Sequence, residues 1–192
     1  VKMKGDPDIR IVDFNLTNFW NLDISECRKG NILIVGQTNS GKSRLAMGIA
    51  DLLLKMGWSV AVVDPTGVWR KQSSIPYYQT LREGQTNLVR MLNTGIIFDT
   101  SNLYLSTQVE VLNQFCRWIW ESRVNEENRK PLMIILEEAQ LYTKNIKSKV
   151  AEELFRIAMS GRNIGNVRLM LISPRLNNVG AEFVFLSTQK YI

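Results

Sequence analysis

The sequence has no histidine among its 192 residues. That excludes histidine-based acid–base catalysis and histidine metal ligation. It has two cysteines, Cys27 and Cys116, without the close pairing of a thiolate metal site. Such lone thiols read as reduced, structural residues of an intracellular protein. No apolar run is long enough to span a bilayer, and the first residues lack a secretory signal pattern. Repeats, linkers and low-complexity segments are absent as well.

What is present suits one domain over residues 1–192, with 1–30 as a lead-in that resists assignment and 31–192 as the core. The formal charge is +6 and the pI is near 9.4, values compatible with a polyanionic partner. "NILIVG" (Asn31–Gly36), "SVAVVDP" (Ser59–Pro65), "GIIFDT" (Gly95–Thr100), "PLMIILEEAQ" (Pro131–Gln140), "VRLMLIS" (Val167–Ser173) and "EFVFLST" (Glu182–Thr188) read as short strands. Between them, Ser43–Met56, Leu105–Asn125 and Lys149–Gly161 carry apolar stripes at helical spacing. Residues 66–93 are polar and irregular. Continuous apolar strands alternating with amphipathic helices predict an α/β fold, three layers deep, with a mainly parallel central sheet covered on both faces. The chain stops at Ile192 just after a strand, which leaves open a truncated natural C-terminus.

"GQTNSGKS" (Gly36–Ser43) matches G-x-x-x-x-G-K-[ST] between an expected strand and an expected helix, the context the pattern requires. Glycines let the backbone wrap phosphates, and loop N–H groups with the helix N-terminus supply positive potential. Gly36, Gln37, Thr38, Asn39, Ser40, Gly41, Lys42, Ser43 and Arg44 are therefore the candidate nucleotide-binding residues. Lys42 is expected to reach the β- and γ-phosphates, and Ser43 to bind Mg²⁺. This is a P-loop NTPase reading, RecA-like in architecture.

A P-loop requires an acid at a neighbouring strand end to hold the metal. "LMIILEE" offers two. By position, Glu137 is the metal-side acid and Glu138 the general base for the attacking water. Adjacent strand residues point to opposite sides, so the second acid is expected to turn toward the γ-phosphate at the strand end. Simple kinases and switch GTPases usually lack a glutamate there, whereas hydrolytic motors tend to have one.

Taken together, several segments resemble the HerA/FtsK clan of DNA-pumping ATPases, over Asn31 to Ser187. "DPTGVW" (Asp64–Trp69) is similar to the Asp-Pro-x-Gly turn after that clan's second strand, and "EEAQ" (Glu137–Gln140) to its Asp/Glu-Glu-Ala-His/Gln signature. "SGRNIGNVRLMLISPRLNNV" (Ser160–Val179) resembles its Gly-Arg, strand, Ser-Gln-Arg-Pro block. The compactness is also similar to the genome-packaging ATPases of membrane-containing icosahedral viruses; cellular HerA and FtsK are larger. The resemblance implies ATP and Mg²⁺ as ligands, double-stranded DNA as the substrate moved, and a homo-oligomeric ring, hexamer or pentamer. It also implies capsid or portal vertex proteins as partners, no membrane span, and a place in the host cytoplasm or on the virion.

It further implies a sheet order in which the strand Val167–Ser173 lies between the P-loop strand and the acidic strand, with "GIIFDT" at the far edge. Arg162 matches the arginine that reaches a neighbouring subunit's site, where a planar bidentate donor stabilises charge on the leaving phosphoryl group. Arg156, Arg168 and Arg175 are its competitors. Two departures are visible: the metal-side acid is Glu137 where the clan usually has Asp, and the sensor glutamine falls at Pro174, which has no side-chain donor or acceptor. Ser173 is the expected replacement, with Asn177 and Asn178 as alternatives.

Weaker features remain. Lys144, Lys147 and Lys149 could touch DNA phosphates, although a solvated loop is the usual fate of such a run. Trp118 and Trp120 could stack on bases, but within a helical pattern Trp118 reads as core or subunit interface. "FNLTNFW" (Phe14–Trp20) could place an aromatic against adenine. The rival readings are a HerA-type or conjugation-type translocase, a small-molecule kinase, and a nucleotide-dependent assembly subunit without catalysis.

Overall fold

The computed structural model describes residues 27, 29–72, 75, 77–78, 95–124, 130–144 and 149–191. In chain order the elements are β1 (Asn31–Val35), α1 (Lys42–Lys55), β2 (Ser59–Asp64), α2 (Val68–Gln72), β3 (Tyr77–Tyr78), β4 (Ile96–Asp99), α3 (Leu105–Val124), β5 (Leu132–Leu136), α4 (Gln140–Thr143), α5 (Lys149–Gly165), β6 (Val167–Ser173), α6 (Ala181–Leu186) and β7 (Ser187–Tyr191). A 3-10 turn over Leu176–Asn178 precedes α6.

The strands form one sheet of order β3-β4-β2-β5-β6-β1-β7, and every described pairing is parallel. Each residue of β1, β2, β4, β5 and β6 is buried, the state of parallel strands covered on both faces. Alternation along β1 divides the core: Ile32 and Ile34 pack with Leu45, Ile49 and Leu53 of α1, while Leu33 and Val35 pack with Leu112 and Ile119 of α3 and Leu154 and Ile157 of α5. These are the three layers the sequence predicts. The strand β6 lies between β1 and β5 as expected, and "GIIFDT" supplies β4. The far edge itself is β3, a two-residue strand that the sequence left irregular.

One strand assignment is corrected. "EFVFLST" is mostly helix: α6 covers Ala181–Leu186 and only Ser187 onward joins the sheet as β7. Phe183 is buried and meets Phe155 edge-on at 6.1 Å, whereas Phe185 is exposed. A strand would have aimed both rings at the same face. The helix Lys149–Gly161 also continues one turn further, to Gly165.

Candidate functional site

Parallel pairing brings the carboxyl ends of β2, β5, β6 and β1 to one edge, where ligands of open α/β sheets bind. Register sets the neighbours: Val35 lies beside Ser173, Leu136 beside Leu171 and Val63 beside Leu136. The loop after β1, the acids after β5 and the end of β6 therefore share one rim.

The loop geometry follows from its residue types. A Cβ on Gly36 would stand 2.6 Å from Ser40 Oγ, so any larger residue there would push the Ser40 side chain out of its place in the loop. Asn39 has φ 66° and Gly41 φ 91°, left-handed conformations that asparagine tolerates and glycine adopts freely. Leu45 N donates to Gly41 O at 2.9 Å, the first turn of α1. The N–H groups of the helix's first residues have no carbonyl four residues back to receive them, so they can serve an anion. Lys42 Nζ donates to Gln37 O at 2.8 Å, which curls the lysine over its own loop. Arg44 is exposed.

Ser43 Oγ donates to Glu137 Oε1 at 2.8 Å, and Trp69 Nε1 donates to Glu137 Oε2 at 2.9 Å. Burial pushes the Glu137 carboxyl above its usual range; the Trp69 and Ser43 bonds oppose this, and nearby Asp64 and Glu138 add to it. A hydroxyl and a carboxylate are hard oxygen donors of the kind Mg²⁺ takes, and that ion needs only one or two protein ligands beside phosphate oxygens. The residues therefore fit the expected metal. Larger clusters of acid, cysteine or histidine are absent among the described residues.

Glu138 has φ 51°. Glu137 N still donates to Val63 O on the β2 side, whereas Ala139 N donates to Ile172 O on the β6 side. The left-handed residue between them carries the chain from one neighbour strand to the other. Such a conformation costs a non-glycine residue about 1–2 kcal/mol and is characteristic of functional sites. Gln140 Nε2 donates to Glu138 Oε2, and Gln140 Oε1 lies 3.1 Å from Ser173 Oγ. Ser173 Oγ is also 3.0 Å from Arg175 O. A carboxylate only accepts, so the amide nitrogen must face Glu138 and its oxygen Ser173.

No family model matches the chain, and no curated protein matches it. Among solved structures it is similar to the genome packaging NTPase B204 from Sulfolobus turreted icosahedral virus 2 in complex with AMPPCP, with TM-score 0.59 and 16% identity over 83% of this chain and 72% of that one. The DNA-packaging ATPase B204 from Sulfolobus turreted icosahedral virus gives TM-score 0.59 and 16% identity over 82% and 72%. The chain has the fold of a P-loop ATPase. The cytoplasmic domain of the Thermomonospora curvata type VII secretion ATPase EccC gives TM-score 0.57 and 10% identity, over 89% of this chain and 21% of that one. At these identities the likeness is one of fold, and at that level the resemblance to packaging ATPases is borne out.

Within this P-loop fold, the loop residues, Glu137, Glu138 and Ser173 converge, while the arginines separate. Arg162 is exposed near the end of α5 and donates to Lys29 O. Lys29 precedes β1, so Arg162 is at the sheet end opposite its own P-loop. Arg168 is buried there too, 4.9 Å over the Trp58 ring and bonded to Asn166. Arg156 pairs with Glu153 at 3.6 Å and lies 5.1 Å over Trp120. Arg175 is exposed beside Ser173, on the P-loop rim.

Trp118 is partly buried, stacks on Phe115 at 6.4 Å and packs against the core. Lys144 is exposed and Lys149 opens α5. Lys147 and the Phe14–Trp20 segment lie outside the described residues. Among the described residues no helix is long and apolar enough to cross a membrane. Sequence reading missed the contact roles of Trp69 and Gln140. Both lie in the Asp64–Trp69 and Glu137–Gln140 segments, and for Gln140 a polar side chain two residues after Glu138 was the available signal.

Proposed function

We propose that this chain is an ATP-hydrolysing motor that moves double-stranded DNA, working as a viral genome-packaging ATPase. The observation that carries the reading is the Ser43–Glu137 contact at 2.8 Å with a second acid, Glu138, beside it on the same rim. A nucleotide-binding switch needs the first pair; a hydrolytic motor typically adds a second acid to take the attacking water's proton. The fold likeness to B204, described as a genome packaging NTPase, supports the same reading.

In this mechanism the loop N–H groups of Gly36–Ser43 and the Lys42 ammonium hold the ATP phosphates. Ser43 and Glu137 would hold Mg²⁺, which would supply positive charge to offset that of the phosphates. Glu138 orients the attacking water and accepts its proton. Ser173, tied through Gln140 to Glu138, serves in place of the side chain Pro174 lacks and relates phosphate state to the base. Arg162, exposed and remote from its own loop, acts on the neighbouring subunit's site in a homo-oligomeric ring. A net charge of +6 suits a duplex DNA partner. Glu138 disfavours the small-molecule kinase, and the Ser173–Gln140–Glu138 linkage disfavours the non-catalytic assembly subunit.

The deciding measurement is ATP turnover with and without duplex DNA, beside the mass of the protein in solution. DNA-stimulated hydrolysis supports the motor. Hydrolysis indifferent to DNA, with no DNA binding at low salt, overturns it.

A further inference from the structure

Trp69 is fully buried and lies at the start of α2, on the opposite side of Glu137 from the P-loop serine. Its indole N–H meets Glu137 Oε2 at 2.9 Å, while Ser43 meets Oε1. The two donors differ in kind. A hydroxyl can rotate and offer its lone pairs to a cation, but an indole N–H can only donate. The tryptophan therefore holds one oxygen of the carboxylate by a bond that no cation can take over.

The indole is itself anchored. Asp64, at the end of β2, accepts from Thr66 N at 3.0 Å, Thr66 Oγ1 at 2.7 Å and Gly67 N at 2.9 Å through Oδ1. Its Oδ2 accepts from Trp69 N at 2.8 Å. One buried carboxylate thus clamps the turn between β2 and α2 and sets where the tryptophan begins. Because β2 and β5 are paired neighbours, the ring spans only the step from one strand end to the next.

We propose that Trp69 is a positioning residue for the metal-side acid: anchored by Asp64, it fixes the Glu137 carboxylate so that Oε1 faces Ser43, the pair that would hold the cation. This rests on the ATPase reading above and adds a role for a residue outside the P-loop and the acidic strand end. Partners that orient metal ligands typically contribute about 10- to 100-fold in metal affinity.

The test is a Mg²⁺ titration of the binding of a non-hydrolysable ATP analogue, read by calorimetry, with a series in EDTA. Trp69→Phe keeps an aromatic ring and removes the donor. A variant carrying 3-benzothienylalanine at position 69 keeps the bicyclic shape, replaces only the N–H by sulfur, and decides the matter if the phenylalanine variant does not fold. Trp58→Phe, which alters a buried tryptophan 4.9 Å from Arg168 and away from the rim, is the packing control. The expected result is a shift of about 10-fold or more in the Mg²⁺ concentration for half-maximal binding, unchanged affinity in EDTA, and recovery at high Mg²⁺. The Trp58→Phe protein should match the wild type. Wild-type Mg²⁺ dependence in a folded position-69 variant, or an equal shift in Trp58→Phe, overturns the inference alone. Wild-type protein that binds no nucleotide with or without Mg²⁺ overturns the ATPase reading and this inference with it.

Discussion

Ser43 Oγ and Glu137 Oε1 are 2.8 Å apart although 94 positions separate the two residues in the chain. The contact exists because β6 inserts between β1 and β5 in the sheet, which leaves the first turn of α1 facing the end of β5. Nucleotide chemistry at this rim should depend on each partner in a distinguishable way.

Lys42→Ala is expected to abolish hydrolysis while the fold persists. The lysine supplies a point charge for the β- and γ-phosphates, and among the described residues its ammonium bonds the loop carbonyl of Gln37. Steady-state phosphate release with a thermal melt checks both halves; turnover like that of the wild type would remove Lys42 from the site.

The two acids should separate by function. Glu138→Gln keeps size and hydrogen bonding but loses the base, so ATP binding should persist while hydrolysis falls by roughly 10²–10⁴-fold. Glu137→Ala should instead weaken Mg²⁺-dependent binding. Equilibrium nucleotide binding and single-turnover rates on both proteins decide this, and normal hydrolysis by Glu138→Gln would withdraw the chemical support for a motor.

DNA binding should be weakly sequence-selective and steeply salt-dependent, because phosphate contacts release counterions, with a log–log slope of about −0.9 per contact. Fluorescence anisotropy with unrelated duplexes across a salt series measures it. A flat salt response would disconnect the basic charge from DNA.

Arg162→Ala and Lys42→Ala proteins should each be inactive alone, and partly active when mixed. The first keeps an intact P-loop and the second an intact arginine. Head-to-tail contacts of one kind close into a ring, so a mixed boundary can join the two intact halves. Absence of recovery in mixtures shown to co-assemble would falsify the trans role. Full activity of Arg162→Ala alone would move the role to Arg175, the competitor on the P-loop rim.

Cys116 should resist alkylation in the native protein. It is fully buried, and burial, with a smaller contribution from Glu153, pushes its thiol far above the ordinary range, so the reactive thiolate is scarce. Cys27 is equally buried. Thiol labelling should therefore track unfolding across a denaturant series; fast labelling of Cys116 under native conditions would contradict the packing around α3.

By itself the sequence determined what is local. Continuous apolar runs specified β1, β2, β4, β5 and β6, because a strand buried on both faces is apolar along most of its length. "GQTNSGKS" specified the loop, because its glycines and lysine act within one turn of chain. "EFVFLST" misled for the converse reason: a short apolar run has no decisive period, and only the packing of Phe183 on Phe155 with Phe185 left in solvent made it a helix. Tertiary structure alone decided which atoms meet at the rim. That Trp69 would reach Glu137, and that Gln140 would face Glu138 on one side and Ser173 on the other, depends on the register of β2, β5 and β6. Register is a relation between strands distant in sequence, settled by the packing of the whole sheet, and no stretch of neighbouring residues carries it.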